Sequence, residues 1–365
     1  MIIGAISENK EIEKRISITP DIAKKYIANN FQILIENGFG CHLDISDDEF
    51  LKEGCKIEKK ENVLKQSDIL LQLNLPEESS LEHFKENNIL IGNFNSNQNF
   101  EKIAKFKIKK TSTFSLELLP RISRAQSMDI LSSQANLAGY KAVVDSFAKF
   151  KKAIPMMMTA AGTISAAKVL VVGAGVAGLQ AIATAKRMGA IVFATDVRLA
   201  SKEQVESLGG KFLVVEGSEN LETQGGYAKE ASEDFKKKQE NLLSETLKKI
   251  DIVICTALIP GKKAPRIINE EMFKGIQAGT IVFDLAVEQG GNSAYSEIDK
   301  IVNKDGIKII GYKNILNKLP LSATKLYSKN LYNFFFNLYD KEKKNLNINL
   351  KDEIINKTFI QNKNT

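Results

Sequence analysis

The chain has 365 residues, of which 43% are hydrophobic and 26% are charged, and its formal net charge is +7. These values are typical of a soluble globular protein of about two domains, and no stretch approaches the roughly 18 uninterrupted apolar residues that a membrane span needs. The positive charge does not indicate a nucleic-acid site, because only six of the 51 basic residues are arginines and the lysines are scattered among acidic residues.

The first third of the chain alternates short apolar runs with helical stretches and begins with a strand and a turn rather than with a signal peptide. Helices are expected between the apolar runs, as at Pro20–Asn29, where Pro20 suits a first helical turn. The predicted strands are Ile2–Ile6, Gln32–Ile35, Ile69–Leu73, Ile89–Gly92 and Ser112–Ser115. This alternation predicts a parallel sheet covered by helices, and the absence of a glycine fingerprint predicts that this domain binds no nucleotide of its own.

Two segments lead into the second half of the chain. Residues 126–150 predict one long helix that leads away from the first domain. Residues 154–167 contain Pro, Gly and small side chains without a clear period, so we expect a connection there.

The next segment, residues 168–198, carries a glycine fingerprint in a complete setting of strand, glycines, helix, second strand and terminal acid. Gly173 permits a tight turn out of the strand, Gly175 lets the backbone approach a pyrophosphate, and Gly178 lets the helix pack closely. The free N–H groups at the start of the helix then face the phosphates. The pattern predicts a dinucleotide site, the alternative being a Rossmann-like domain that has lost its ligand.

The end of the second strand indicates which dinucleotide is bound. Asp196 lies where a carboxylate accepts hydrogen bonds from the adenosine ribose hydroxyls and repels a 2′-phosphate, so NAD(H) is favoured over NADP(H). Arg198 is discordant, since an arginine near this position can serve a 2′-phosphate.

Further strands are predicted near residues 211, 252, 281 and 307, which completes two βαβαβ halves. Residues 216–240 interrupt this pattern with a charged, apolar-poor stretch that contains Gly225, Gly226 and Tyr227. Such a segment is either a mobile lid beside the ligand or a solvated insertion.

The chain becomes helical again after residue 318. We expect the apolar face of this helix to return to the N-terminal domain, which would comprise residues 1–134 and 319–365, with the nucleotide-binding domain at 135–318. The Lys- and Asn-rich tail, residues 340–365, is expected to be only partly ordered. The apolar residues of the helix are Leu326, Leu331, Phe334, Phe335 and Leu338.

Cysteine and histidine are scarce. Cys41, Cys55 and Cys255 form no CxxC pair, and His42 and His83 are the two histidines. We therefore expect no metal site, a reducing cytoplasmic setting, and little provision for acid–base catalysis.

Four motifs give the chain a specific resemblance. They are Pro120–Lys141, which contains RISRAQSMDILSSQANLAGY, Gly225–Ala231, Thr256–Arg266 and Asp284–Asn292. Over nearly its whole length the chain resembles the NAD(H)-binding alpha subunits (domain I) of proton-translocating NAD(P) transhydrogenases and, more remotely, the alanine dehydrogenases. The resemblance implies two Rossmann-like domains with parallel sheets, the N-terminal one discontinuous.

The resemblance also implies roles for individual residues. Arg121, Gln126, Asp129 and Ser132 would contact the nicotinamide and its ribose, and three of them recur every three residues, so that on a helix they would share one side. Helix capping and surface polarity are the alternative for Asp129 and Ser132. Tyr227 would fold over the bound nucleotide. The implied cofactor-binding residues are Gly173, Gly175, Val176, Gly178, Asp196, Val197, Arg198, Tyr227, Ala257 and Leu258.

The departures from alanine dehydrogenase bear on the reaction. Where those enzymes have a substrate-binding lysine and a proton-transferring histidine, this chain has Asn74 and either Asn93 or Phe94, and Glu288 replaces an aspartate. An amino acid dehydrogenase needs a base, whereas direct hydride transfer between two nicotinamides needs positioning and exclusion of water.

The resemblance thus implies the subunit that passes a hydride from NADH to NADP⁺, with NADP(H) bound on a partner subunit and proton movement in membrane subunits. The chain ends at Thr365 without a span, so we expect the membrane helices to belong to a different polypeptide. The resemblance further implies that this subunit is cytoplasmic, peripheral to the inner membrane through its partner subunits, and a homodimer. The alternatives are a stand-alone amino acid dehydrogenase and a non-catalytic NAD-sensing module.

Overall fold

The structure is a computed structural model that describes residues 1–215, 232–259 and 262–360. The chain forms two compact units, one made of Met1–Gln134 together with the chain from Leu316 onward, and the other made of Ala135–Ile315. Each unit is built on a parallel or mostly parallel sheet, which confirms the predicted α/β class. Within the described residues, no helix is both long and apolar enough to cross a membrane.

The first unit contains a six-stranded parallel sheet. Its strands are β1 (Ile2–Ala5), β2 (Gln32–Glu36), β3 (Lys56–Glu58), β4 (Ile69–Leu71), β5 (Ile89–Gly92) and β6 (Ser112–Ser115), in the order β3-β2-β1-β4-β5-β6. The strands read as apolar runs because helices cover both faces. The edge strand β3 was not predicted, since Lys56 and Glu58 give it no apolar pattern.

Helices surround this sheet along the chain. They are α1 (Pro20–Ile27), α2 (Asp47–Lys52), α3 (Lys60–Gln66) and α4 (Phe100–Phe106), followed by α5 (Ile130–Lys149), which leads into the second unit. The helix predicted over residues 126–150 therefore begins later than expected. Residues Ser123–Met128 form a 3-10 turn instead.

The C-terminal segment completes the first unit, as expected for a discontinuous domain. Helix α10 (Pro320–Leu338) buries Leu331, Phe334, Phe335 and Leu338 in the same core as Ile3 of β1. Leu326 was predicted on this apolar face, but it is 36% exposed. In that turn of the helix the buried aromatic side chain is the neighbouring Tyr327.

The tail is more regular than the sequence suggests. Strands β16 (Tyr339–Asp340) and β17 (Asn345–Leu346) pair in antiparallel fashion, and α11 (Glu353–Thr358) follows them. The side chain of Asp352 caps α11 by accepting from the N–H of Ile354 (2.9 Å). Ile354 and Ile355 are buried in the core of the first unit, which explains why this Lys- and Asn-rich segment forms regular structure.

The second unit contains a seven-stranded sheet that agrees with the predicted dinucleotide-binding fold. Its strands are β9 (Lys168–Val172), β10 (Ile191–Thr195), β11 (Lys211–Phe212), β12 (Ile252–Cys255), β13 (Ile281–Asp284), β14 (Lys300–Lys304) and β15 (Ile307–Gly311). Their order is β11-β10-β9-β12-β13-β15-β14, and only β14 is antiparallel to its neighbour. The helices of this unit are α6 (Val176–Arg187), α7 (Ser201–Ser207), α8 (Glu233–Leu247) and α9 (Glu270–Phe273).

Residues 154–167, predicted as an irregular connection, form a hairpin instead. Strands β7 (Met157–Thr159) and β8 (Gly162–Ile164) pair with each other in a separate two-stranded sheet. Every residue from 155 to 165 is exposed. The alternation of apolar and polar positions that identifies a half-buried strand is therefore absent here, and the segment carries no period that would predict its strands.

A close helix crossing within the second unit depends on a glycine. A Cβ atom on Gly139 of α5 would lie 2.0 Å from the carbonyl oxygen of Ala177, the second residue of α6. The amide of Asn136 donates to Gln180 Oε1 (3.1 Å) at the same crossing. Helix α5 therefore packs directly against the first turn of α6, the turn that follows the glycine fingerprint.

We predict that Gly139→Ala destabilises the protein although alanine favours a helix. The added methyl meets backbone, so α5 and α6 must separate, at a cost of about 1–3 kcal/mol that exceeds the roughly 1 kcal/mol gained in helix propensity. The measurement is the free energy of unfolding in urea. The control is Gly275→Ala, whose Cβ would make only ordinary contacts; equal stability of the two variants would contradict the crossing.

Candidate nucleotide-binding site

The glycine fingerprint forms the turn between β9 and α6 with the geometry that the sequence predicts. Gly173 has a φ of 96°, in the left-handed region that favours glycine. A Cβ on Gly178 would lie 1.9 Å from the carbonyl oxygen of Gly173, whereas a Cβ on Gly175 would have no atom of the described residues within 4 Å apart from those of its chain neighbours. The turn is therefore tight at its base and open at Gly175, where α6 begins at Val176.

Thr256 holds this turn from the neighbouring strand. Its hydroxyl, directly after β12, donates to the carbonyl oxygen of Gly173 (2.9 Å). The N–H of Gly173 in turn donates to the carbonyl oxygen of Thr195 at the end of β10 (2.8 Å). The carboxyl ends of three adjacent strands thus fix one loop, at the edge of an α/β sheet where ligands bind.

Asp196 connects the same loop to the end of β10 and is already saturated with hydrogen bonds. Its Oδ2 accepts from the N–H of Ala174 (2.7 Å) and from Arg198 Nη2 (2.8 Å), and its Oδ1 accepts from the N–H (2.8 Å) and Nε (2.9 Å) of Arg198. The Asp196 side chain is 6% exposed and that of Arg198 is 16% exposed. Arg198, which disagreed with its neighbour in the sequence, is thus the carboxylate's ion-pair partner, while Val197 between them is half-buried.

The predicted Ala257–Leu258 segment is positioned by a residue that the sequence did not single out for this role. Asn292 is completely buried, and its Oδ1 accepts from the N–H of Ala257 (3.0 Å). Its Nδ2 donates to the carbonyl oxygens of Ala257 (2.9 Å) and Pro265 (2.8 Å). The amide therefore pairs with Ala257 as a neighbouring strand would, and it leaves the Leu258 side chain exposed.

Asp284 fixes the segment that carries Asn292. Its buried carboxylate accepts from the N–H groups of Ala286 (2.9 Å) and Ser293 (3.0 Å) and from the hydroxyl of Ser296 (2.6 Å). The hydrogen bonds that this buried carboxylate needs are thus all supplied by neighbouring groups of the fold. This arrangement suits a structural role rather than proton transfer.

In the first unit, Gln126, Asp129 and Ser132 do not share one helix face, so that prediction is wrong. Gln126 lies in the 3-10 turn, Asp129 is extended, and only Ser132 is in α5. The cause is capping: Asp129 Oδ1 accepts from the N–H of Ser132 (2.9 Å), and its Oδ2 accepts from the Ser132 hydroxyl (2.6 Å). The capping alternative thus describes these two residues, while Arg121 and Gln126 are exposed.

Helix α10 clamps this segment in place. The amides of Asn330 and Asn333 both donate to the carbonyl oxygen of Ser127 (2.9 Å each). Beneath the turn, Ala125 and Met128 are buried in the core of the first unit. The two asparagines lie about 200 residues further along the chain, so their role was invisible in the sequence.

Two acids lie near Arg15 in the first unit, Glu13 buried and Glu8 half-buried. Arg15 Nε and Nη2 donate to the two oxygens of Glu13 (2.8 and 2.6 Å), and Nη1 donates to Gln134 Oε1 (2.9 Å). Burial raises the pKa of Glu8 to about 7, although the N–H groups of Leu73 and Asn74 donate to its carboxylate. The folded protein holds this proton more tightly than the unfolded chain, so stability contributed by protonated Glu8 is lost as the pH rises through about 7.

The proposed lid falls largely outside the described residues. Gly225, Gly226 and Tyr227 lie in the gap between residues 215 and 232, and the end of the segment forms the start of α8. Among the residues that the structure describes, no group of three His, Cys, Asp or Glu side chains could hold a metal ion.

Comparison with family models matches both halves of the chain. The model described as the alanine dehydrogenase/PNT N-terminal domain matches residues 4–138, and the corresponding C-terminal domain model matches residues 142–365. The chain is 47% identical to an NAD(P) transhydrogenase subunit alpha from Rhodospirillum rubrum, over 99% of this chain and 96% of that protein. It is 44% identical to the Rickettsia prowazekii protein of the same name, over 99% and 94%.

Solved structures agree with these matches. The transhydrogenase from Sinorhizobium meliloti is 40% identical, with a TM-score of 0.88 and 98% of each chain covered. An L-alanine dehydrogenase is 17% identical, with a TM-score of 0.77 over 93% of this chain and 90% of the other, and at that identity the likeness shows the fold alone.

We predict that Asn292→Asp weakens NADH binding and lowers the melting temperature. The carboxylate of Asp can still accept from the N–H of Ala257, but it cannot donate to the carbonyl oxygens of Ala257 and Pro265. Each buried carbonyl that loses its donor costs about 1–3 kcal/mol of stability. The measurement is the calorimetric Kd of NADH, with the exposed Asn303→Asp as the control. Wild-type affinity in Asn292→Asp would show that the Ala257 segment does not contribute to the site.

Proposed function

Because the chain belongs to the alanine dehydrogenase/PNT family, among its NAD(P) transhydrogenase alpha subunits, we propose that it is the NAD(H)-binding subunit of a proton-translocating transhydrogenase. It passes a hydride directly from NADH to NADP⁺ held on a partner subunit. The observation that carries the proposal is the glycine turn, tight at Gly173 and Gly178 and open at Gly175, beside a carboxylate at the end of β10.

These residues fit a dinucleotide. Gly175 and the first turn of α6 would hold the pyrophosphate, because free N–H groups and the helix dipole favour negative charge there. The open space at Gly175 permits the close approach that any side chain would block. Ala257 and Leu258, which Asn292 positions, follow β12 at the same end of the sheet, and Asp196 would accept hydrogen bonds from the adenosine ribose hydroxyls.

When bound, NADH supplies a hydride, a hydrogen nucleus with two electrons, from C4 of its nicotinamide, so that NADH is oxidised and NADP⁺ is reduced with no proton exchanged. The task of this chain is to fix the ring and exclude water. Arg121 and Gln126 lie on the exposed turn that α10 clamps, and the Asp129–Ser132 cap sets where α5 begins. A turn held from behind by core residues and two asparagines is rigid enough to position a ring.

A homodimer belongs to the proposal, and the β7–β8 hairpin supports it. Met156, Met157, Met158 and Ile164 are exposed, Met158 by 78%, and residues 153–167 contain no charge. An isolated two-stranded hairpin is at best marginally stable in water, and a contiguous exposed apolar surface marks an interaction site. We propose that a second copy of this chain covers the hairpin.

The remaining partners follow from the family. NADP(H) is bound by a beta subunit, and membrane subunits carry the proton, so the chain itself is cytoplasmic and peripheral to the inner membrane. The relatives' names, which describe the alpha subunit of a multi-subunit enzyme, support this arrangement.

An amino acid dehydrogenase is the second candidate, and Glu8 is the observation in its favour, because a pKa of about 7 suits a general base. Against it, Glu13 takes up the Nε and Nη2 edge of the Arg15 guanidinium, and Gln134 accepts from Nη1, so Arg15 is already paired within the fold rather than presented to a substrate carboxylate. Reduction of NAD⁺ with alanine, in the absence of a second nucleotide, would establish this candidate instead. An NAD sensor, the third possibility, would show no hydride transfer at all.

The function is tested by mixing the chain with a purified NADP(H)-binding domain of a transhydrogenase and following hydride exchange between the nucleotides. We expect Gln126→Ala to lower the rate by about 100-fold, as for a ring misplaced by about 1 Å, and to change the NADH Kd only a few-fold. Ser127→Ala, the next residue on the same turn, is the control. Equal losses in rate and binding would contradict a positioning role for Gln126.

The dimer is tested by sedimentation of the full chain. We expect Met158→Glu to convert the dimer to a monomer with unchanged helix content, because two copies of the hairpin would bring like charges into an apolar contact. Ile108→Glu is the matched control, since Ile108 is 79% exposed on the first unit. A Met158→Glu variant that remains dimeric would place the interface elsewhere.

A further inference from the structure

The four hydrogen bonds of Asp196 divide into two kinds. One donor to each oxygen is a main-chain N–H, from Ala174 to Oδ2 and from Arg198 to Oδ1. These donors are fixed, because the first belongs to the glycine turn and the second to the end of β10. The other donor to each oxygen is the side chain of Arg198, with Nη2 on Oδ2 and Nε on Oδ1.

The guanidinium of Arg198 therefore fills one acceptor position on each oxygen of Asp196. If the guanidinium moved away, these two positions would be open to other donors. A carboxylate has about four lone-pair sites, and the main-chain donors use two of them. The vicinal 2′- and 3′-hydroxyls of a ribose are two adjacent O–H donors, which is the same donor pattern as the Nε and Nη2 edge of a guanidinium. Both cannot bind Asp196 at once.

We propose that Arg198 is an internal competitor for the ribose position, displaced from Asp196 by the diol of NAD(H), and that it thereby determines dinucleotide affinity and selectivity. This inference rests on the proposed function, since it assumes that the second unit binds NAD(H). It also explains why a nearly buried carboxylate tolerates the absence of a nucleotide. The fork keeps its charge paired, and an unpaired buried charge would be strongly destabilising.

The competition has opposite consequences for the two nucleotides. NAD(H) must displace Arg198, so the ion pair is a cost to NAD(H) binding. NADP(H) lacks the 2′-hydroxyl donor and brings a phosphate toward Asp196, but a displaced Arg198 can pair with that phosphate. Removing the guanidinium should therefore tighten NAD(H) binding and weaken NADP(H) binding, whereas a merely structural role for Arg198 would weaken both.

The test is calorimetric titration of NADH and of NADPH into the wild-type chain, Arg198→Ala and Arg198→Lys. For Arg198→Ala we expect an NADH Kd about three- to tenfold lower and an NADPH Kd higher by a similar factor, as for loss of one partly buried ion pair. Arg198→Lys keeps the charge but not the fork, so its NADH Kd should fall between the two while NADPH binding is retained.

Arg187→Ala is the matched control, because it removes one arginine from the exposed end of α6, more than ten residues along the helix from the glycine turn. It should leave both affinities unchanged. Arg198→Ala with an unchanged or weaker NADH Kd would overturn the proposal, and if that variant does not fold, Arg198→Lys with wild-type NADH affinity would do the same. Failure of the wild-type chain itself to bind NADH would instead overturn the proposed function.

Discussion

The hydrogen bond from the Ala174 N–H to Asp196 joins two loops that are 22 residues apart in the chain, and the geometry of the second unit depends on it. It fixes the glycine turn to the end of β10, while Thr256 fixes the same turn to β12. Gly178 then lets α6 lie against the carbonyl group of Gly173, and Gly139 lets α5 approach the backbone of α6 closely. Any side chain at these glycines would move the turn, and with it the N–H groups at the start of α6.

In the first unit, by contrast, a short turn is held in place by segments that are distant from it in the chain. The turn Ser123–Met128 has no sheet of its own, and it is fixed from below by the core and from the side by α10. Because α10 comes from the far end of the chain, the discontinuity of this domain is what makes the turn rigid. The ion pair between Arg124 and Asp352 adds a link to the segment before α11 (2.6 Å).

The sequence predicts those features of the fold that are determined by residues close together in the chain. The left-handed Gly173 and the close contact at Gly178 follow from the fingerprint, and the apolar runs place most strands of both sheets. The sequence did not predict that α5 begins at Ile130, because Asp129 also fits the helical spacing of the residues around it. In the structure its carboxylate caps the helix instead, and the helix therefore begins after it. The β7–β8 hairpin has no buried face and hence no period. Asn292 and Asn333 act on residues far along the chain, and the pairing of Arg198 with Asp196 depends on side-chain conformation, which spacing alone does not reveal.

Direct passage of the hydride between nucleotides, without a base and without exchange with water, is the property on which the proposed function depends. It is tested most directly with NADH deuterated at the transferred C4 position, NADP⁺, this chain and an NADP(H)-binding domain, the products being analysed by mass spectrometry. We expect all of the transferred deuterium to appear in NADPH and none in water. Deuterium in the solvent, or NADPH formed with hydrogen from water, would contradict direct transfer.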